Sequence, residues 1–264
     1  MISRKQIVES FSEAGLRRDC HLLVHSSLRS IGPIDGGADA LIDALLDVTG
    51  PDGTLAMPTF NYSRPVPVPF FDPKETPGKT GIVTEIFRKR SETIRSEHPS
   101  HSVAAQGKRA REFLAGHREA AVFGVDSPID RLAQAGGYVL LLGVTHLANS
   151  TIHVGESHAG VKKFWWNEGE PPRVKMKLGD GTIVEHPLDP SSSCSTSFNA
   201  VEHPMRARDR ILDLRIGEAI SFLMRGRDII TTVVEMIREY PNILFCNRAA
   251  CRPCLKGREY LRSR

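Results

Sequence analysis

Residues 138–156 read YVLLLGVTHLANSTIHVGE. The run from Tyr138 to Val144 is short, apolar and closed by glycine, the pattern of a strand buried on both faces. Small polar residues follow at once, and then a second element begins near Ser150. In open α/β sheets ligands sit at the carboxyl ends of strands, so whatever follows this strand is placed for chemistry. His153 and Glu156 are three apart and share one face if the segment is helical. His158 lies five beyond His153, roughly 140° further round, and points elsewhere. The helical metalloprotease signature needs two histidines four apart with glutamate between them, which this stretch lacks. It reads first as a His–Glu pair of general-base type and second as a metal site. The competing reading is an ordinary helix start capped by Ser150, with His153 half-buried.

Working outward, the N-terminal side alternates strand and helix patterns. Ser3 and Gln6 form a capping-box pattern, and Gly15 closes that first helix. "HLLVHSS" is an apolar run breaking into small polar residues. "ADALIDALLDV" puts Leu41, Ile42, Leu45 and Val48 on one helical stripe. "GTLAMPTF" and "SVAAQG" read as strands, and "TGIVTEIFRKR" and "KRAREFLAG" as helices. Ser127, Pro128 and Asp130 mark another helix start. Residues 61–80 are too proline-rich for helix or interior strand, and a loop this long is usually functional. The expected fold is α/β: a mixed, largely parallel core sheet flanked by helices. The stretch "RVKMKLGDGTIVEH" alternates with period two about Gly179-Asp180-Gly181, an antiparallel hairpin inserted at about residues 160–200. A helix from "RDIITTVVEMIREYP" precedes the C-terminal tail. The division expected is a single domain over 1–245 and a basic, cysteine-containing tail over 246–264.

The totals fit that architecture. The 264 residues are 40% hydrophobic and 25% charged, an ordinary globular balance. No apolar run reaches the roughly 18 residues that span a bilayer. The N-terminus lacks a secretory pattern, so the expectation is a cytoplasmic protein with no membrane partner. The net charge is +4, but the tail alone carries six Lys/Arg against Glu259. The body therefore sums to −1, and nucleic acid is not indicated as a partner. Five cysteines are too few and scattered for a disulfide scaffold.

Two further stretches carry chemistry. "VHSSLRSIGPIDGG" follows a strand and precedes a helix, a setting in which backbone N–H groups suit phosphate or pyrophosphate. It matches neither the dinucleotide fingerprint nor the P-loop. "RSEHPSHSV" offers Arg95, His98 and Ser102 as phosphate partners. Taken together, "VHSSLRSIGPIDGGADALIDALLDVTGPDGTLAMPTF", "FDPKETPGKTGIVTEIFR", "RSEHPSHSVAAQGKRA" and "SPIDRLAQAGGYVLLLGVTHLANSTIHVGE" resemble, in order and spacing, the aminoglycoside 3-N-acetyltransferase family. The resemblance is dense over residues 20–160 and looser over 160–240.

The resemblance implies an acyltransferase that moves an acetyl group from acetyl-CoA, as co-substrate, to a small-molecule amine. It implies that Ser26, Ser27, Leu28, Arg29, Ile31 and Gly32 hold pantetheine and diphosphate, with Arg95, His98 and Ser102 beside the cofactor's phosphates. His153 becomes the general base and Glu156 its acidic neighbour, with Tyr62, Asp72 and Glu156 near the sugar. A histidine with pKa near 6.5 suits removal of an ammonium proton near neutral pH, and Thr59 at a strand end is the candidate oxyanion donor. A homodimer is compatible with the sequence.

Two features depart from the family. Residues 61–79 hold only Asp72 and Glu75 against Arg64, Lys74 and Lys79, a poor match to a polycationic antibiotic. An amino sugar on a nucleotide or phosphonate carrier suits that balance better. Trp165 and Trp166 read as packing or as a sugar-stacking face. The tail, "CNRAACRPCLKGREYLRSR", fits no family pattern: Cys246, Cys251 and Cys254 are one ligand short of a tetrahedral zinc site. A basic terminus or a reactive Cys251–Cys254 dithiol are the alternatives. Two other functions stay open. One is a metal-dependent hydrolase using His153, Glu156 and His98, His146 or His158. The other is a non-catalytic CoA-binding protein whose tail binds nucleic acid or protein.

Overall fold

The computed structural model describes all residues except 17, 62–69, 162–172, 189–193 and 264. The elements are, in chain order, α1 (Arg4–Glu13), β1 (His21–Ser26), α2 (Leu28–Ile31), α3 (Gly37–Thr49), β2 (Thr54–Pro58), β3 (Phe70–Phe71), α4 (Ile82–Arg88), β4 (Ile94–Arg95), β5 (Val103–Gly107), α5 (Ala110–Leu114), α6 (Pro128–Gln134) and β6 (Tyr138–Leu142). There follow α7 (Thr151–His158), β7 (Arg173–Lys177), β8 (Ile183–Pro187), α8 (Glu202–Arg206), β9 (Leu212–Ile216), β10 (Ala219–Arg225), α9 (Gly226–Glu239) and α10 (Arg252–Arg262). The capping box of Ser3 with Gln6 is present, and Ser127 caps α6 with Pro128 in its first turn.

A seven-stranded sheet runs β4-β5-β2-β1-β6-β10-β9. Its heart is parallel, with β1 between β2 and β6. Antiparallel strands extend it on both sides: β5 and β4 beyond β2, β10 and β9 beyond β6. The β9–β10 hairpin is the element the sequence pattern had not revealed. Its tight link at Gly217, with φ +59, returns the chain onto the edge of β6. The predicted hairpin about residues 179–181 forms a second, small sheet of β3, β7 and β8.

Burial on both faces explains the apolar runs. Leu22 and Val24 of β1, with Leu140 and Leu142 of β6, pack into one core beneath α1, α3 and α4. Leu23, Val139 and Leu141 point the other way, into a core shared with α5, α6, α7 and α9. The stripe Leu41, Ile42, Leu45 and Val48 is buried as its spacing requires. Side chains alternating across a central strand thus glue three layers together. The C-terminal ends of β1, β2 and β6 open to one side of the sheet, and the site lies there. Among the described residues no helix is long and apolar enough to cross a membrane.

Candidate active site

Two glycines bring the site's elements to contact distance. Gly143, just past β6, has φ +65, and a Cβ there would lie 2.7 Å from the Cβ of Ser30. The loop after β6 therefore closes onto α2, the short helix that follows β1. Gly155 lies on α7 against α9, where a Cβ would meet Val233 at 2.6 Å. Only glycine lets these two helices approach so closely. That approach seats α7 with its other face turned to the cavity. Ser150 is the N-cap of α7 but makes no side-chain cap bond, and Asn149 Oδ1, one residue earlier, accepts from the Thr151 N–H at 3.1 Å.

On α7, His153 Nδ1 and Glu156 Oε2 are 2.7 Å apart, and both side chains are buried. The i,i+3 face-sharing inferred from the sequence is observed. Phe123 stacks on the imidazole, with ring centres 4.8 Å apart, and Phe198 meets it edge-on at 4.5 Å. The ring is thus clamped between two aromatic walls, with a carboxylate behind it.

His153 lines a cavity of ≈ 220 Å³ at the strand ends. Its wall includes His25 and Ser26 from the end of β1, Pro58 from β2, and Val144 and Leu147–Ser150 from the loop after β6. Phe60, Thr80, Thr84, His101, Ser195 and Phe198 complete it. Among the described residues, no carboxylate lines this cavity. His101 packs against Phe60 and Phe123. Burial, together with the neighbouring His153 and His117, pushes its pKa down to about 3, so His101 is a neutral ring. Sequence reasoning passed over His101 while selecting His98 three residues earlier. The signal was its position just before β5, whose partner β2 ends at the same cavity.

The other predicted residues separate into two groups. In the first loop, Ser26 reaches the cavity and the Ser27 hydroxyl accepts from the Ser30 hydroxyl at 2.9 Å. Leu28 is half-buried and Arg29 exposed at the surface. Gly32 has φ +80, and Ile31 belongs to the hydrophobic core. Ile31 can therefore offer a cofactor only its backbone.

The second group forms a wall. Arg95 Nε donates to the Thr59 and Ser102 hydroxyls, Nη1 to the Pro73 and Thr76 carbonyls, and Nη2 to the Thr59 carbonyl at 2.8 Å. Every guanidinium nitrogen is thus engaged by protein. The buried Thr59 hydroxyl donates to the Ser102 carbonyl at 3.0 Å and accepts from Arg95 Nε. Ser102 is fully buried in the same knot. His98 is buried against His117, their ring centres 4.7 Å apart, and accepts from the His101 backbone N–H. Burial holds His98 well below the ordinary histidine pKa.

Asp72 lines a different cavity from His153, beside Arg95 and Lys177. Its carboxylate accepts from Lys177 Nζ at 3.2 Å and from the Lys74 N–H at 2.8 Å. Tyr62, Trp165 and Trp166 lie outside the described residues. Among the described residues, no group of histidines gathers around Glu156 as a metal site requires. His158 is bound to Asp130 at 3.0 Å. Among the described residues, the group of His, Cys, Asp and Glu side chains close enough to hold a metal is Cys194, Cys246, Cys251 and Cys254. The loop before Phe198 thus brings Cys194 to the three tail cysteines.

Known proteins share this architecture. A family model described as aminoglycoside 3-N-acetyltransferase matches residues 23–238. Over 224 residues the chain is 33% identical to aminoglycoside N(3)-acetyltransferase IV from a Salmonella species, covering 84% of this chain and 82% of that protein. A histidine-to-alanine mutant of aminoglycoside acetyltransferase AAC(3)-IVa, solved in complex with a gentamicin, superposes with a TM-score of 0.85. It is 29% identical, with 98% of this chain and 97% of that chain covered. AAC-IIIb, solved with CoASH, shares the fold at a TM-score of 0.74 and 24% identity, over 90% and 96% of the two chains.

Proposed function

Because this chain belongs to the aminoglycoside 3-N-acetyltransferase family and is an acyltransferase of that type, we propose that it transfers acetyl from acetyl-CoA to an amine of an aminoglycoside or related amino sugar, with His153 as general base. The observation that carries the reading is the buried His153–Glu156 pair, 2.7 Å apart, facing a cavity at the strand ends.

The chemistry follows from the pair. With Nδ1 held by Glu156, Nε2 takes the proton of the attacking amine. The amine nitrogen forms its bond to the thioester carbonyl carbon, the carbon–sulfur bond breaks, and the imidazolium returns its proton to the departing thiolate. The carboxylate keeps the ring in one tautomer and orientation and stabilises the transient imidazolium. Phe123 and Phe198 limit ring rotation and exclude water on two sides. His25 and His101 stand nearby but stay neutral, with pKa values pushed down to about 4 and about 3, by burial first in each case. Proton traffic is thereby concentrated on His153.

Acetyl-CoA is assigned to the loop Ser26–Gly32, where Ser26, the backbone and exposed Arg29 are the groups on offer. Thr59, Arg95, His98 and Ser102 are assigned to building the cavity wall. Asp72, bound to Lys177, is assigned to the neighbouring small sheet rather than to the sugar. The catalytic unit is taken to be residues 1–245. Dependence on acetyl-CoA agrees with a cytoplasmic setting. The test is thiol release from acetyl-CoA across a panel of aminoglycosides and of amino sugars carrying phosphate or phosphonate. A cavity with no carboxylate among its described lining favours the less cationic acceptors. Acetyl transfer to none of the panel, by a protein that binds CoA, would overturn the proposal.

A further inference from the structure

Four of the five cysteines converge although they come from two distant parts of the chain. Cys194 precedes the cavity-lining loop, and Cys246, Cys251 and Cys254 lie in the tail. Their four sulfurs all fall within 4.8 Å of one another. The Cys194 and Cys246 sulfurs, 52 positions apart in sequence, are 3.7 Å apart. A tetrahedral zinc with Zn–S bonds of about 2.3 Å has sulfur–sulfur edges of about 3.8 Å. A disulfide holds its sulfurs at about 2.05 Å and joins only two. None of the five cysteines is in a disulfide. Cysteines acting merely as small core hydrophobes have no reason to turn all four sulfurs inward to one point.

We propose that Cys194, Cys246, Cys251 and Cys254 form a closed four-thiolate zinc centre that fastens the C-terminal helix to the loop walling the catalytic cavity.

The surroundings match that role. Cys251 stands at the N-cap of α10 and Cys254 in its first turn, with Pro253 between them. Two thiolates thus meet the positive end of an eleven-residue helix. Cys246 and Cys254 are buried, while Cys194 and Cys251 are half-buried. Phe245 packs beside them, with Val161 and Leu261 at the margin. Four thiolates around Zn²⁺ leave a net charge of −2, in a segment whose sequence also carries Arg248, Arg252, Lys256 and Arg258. Arg258 also donates to the Cys246 carbonyl at 3.1 Å. Binding releases the thiol protons to solvent and involves no change of oxidation state. Downstream of Cys194, Ser195 lines the cavity and Phe198 meets the His153 ring. The centre therefore holds one wall of the cavity in place. With four protein ligands it leaves no open position, so it is structural.

The test uses the full chain purified without added metal. Elemental analysis is expected to find one zinc per chain. In the native protein the four cluster thiols are expected to resist a thiol reagent and to react once a strong chelator is added, while Cys20, whose thiol pKa burial pushes up to about 11, reacts slowly in both states. Replacing zinc with Co²⁺ should give the visible bands of a tetrahedral four-sulfur site. Cys194→Ser should weaken or abolish those bands, while Cys20→Ser leaves both zinc and spectrum unchanged. Should Cys194→Ser not fold, the metal content and cobalt spectrum of the unaltered chain still decide. Trypsin should release the basic tail at least tenfold faster after chelation. Zinc absent both as purified and after reconstitution, a disulfide among the four, or iron in zinc's place would each overturn the proposal. A tail cleaved equally fast with and without metal would overturn the fastening role.

Discussion

Acid should unfold this protein in a window set by its buried histidines. His25 and His146 are pushed down to about 4 by burial, and His101 to about 3 by burial and its histidine neighbours. His98 and His117 are lowered in the same direction, again by burial first. In the unfolded chain each titrates near 6.5. Between the two values the unfolded state binds a proton that the native state refuses, so stability is full above pH 6.5 and falls as pH drops. Each such histidine costs about 1.4 kcal/mol per pH unit once well below 6.5. At pH 5, His25, His101 and His146 together therefore remove roughly 6 kcal/mol, against a typical total of about 5–15. His98 and His117 act in the same sense. Urea denaturation followed by circular dichroism at half-unit steps from pH 8 to pH 4.5 measures this. Stability should be nearly flat above pH 7 and fall steeply below 6. His146→Leu should reduce the slope by about one proton, or about 1.4 kcal/mol per pH unit. Unchanged stability between pH 7 and pH 5 would refute the claim that these rings are neutral in the fold.

Other outcomes follow from the site. His153→Ala should lower turnover by about 10²–10⁴-fold, the usual contribution of positioned proton transfer, while CoA binding measured by calorimetry stays close to the parent value. Glu156→Gln keeps shape but removes charge, so the imidazole holds its proton less tightly; the ascending limb of the pH–rate profile should move to lower pH, with lower maximal turnover. Arg95→Met leaves the buried Thr59, Thr76 and Pro73 carbonyls without their cation and should cost several kcal/mol in urea, with affinity for CoA little changed in whatever protein remains folded. Gly155→Ala forces a methyl onto Val233 and should destabilise by about 1–3 kcal/mol, lowering the melting temperature and loosening the α7 face that carries His153.

What could be read from the sequence depended on how far apart the interacting residues lie. The β6 run, the α3 stripe and the Ser127 cap are decided within a few residues, and the structure has each of them. His153 and Glu156 were legible for the same reason, since both partners sit on one turn of helix. The β9–β10 hairpin also had a local signal in "LDLRIGEAISFLMR", with buried residues alternating about Gly217. Its charged outward positions, Arg215 and Glu218, hid that alternation among apparently polar chain.

Arg95 shows where residue type alone is ambiguous. An arginine beside serine and histidine suits a phosphate as well as it suits backbone carbonyls, and sequence cannot weigh the two. The choice was made by strand register: β4 pairs with β5, aligning Arg95 with Ala104, and this sets the guanidinium against the end of β2. Each of its three nitrogens then has a protein partner. The cysteines show the converse. Three tail thiols made a recognisable but incomplete set, because the fourth was 52 positions away in a serine-rich stretch with no spacing rule to connect it. Both cases turn on closure of the chain between distant segments. Such closure also explains why Phe123 and Phe198, which clamp the His153 imidazole from separate loops, carried no signal of their own. The His153–Glu156 pair is local and its container is not. Substitutions in the container, at Phe198 or Phe123, should therefore alter the orientation of His153 without changing the identity of the base: Phe198→Ala is expected to lower turnover while leaving the shape of the pH–rate profile intact. A shifted profile would mean that Phe198 sets the basicity of the ring and not only its position.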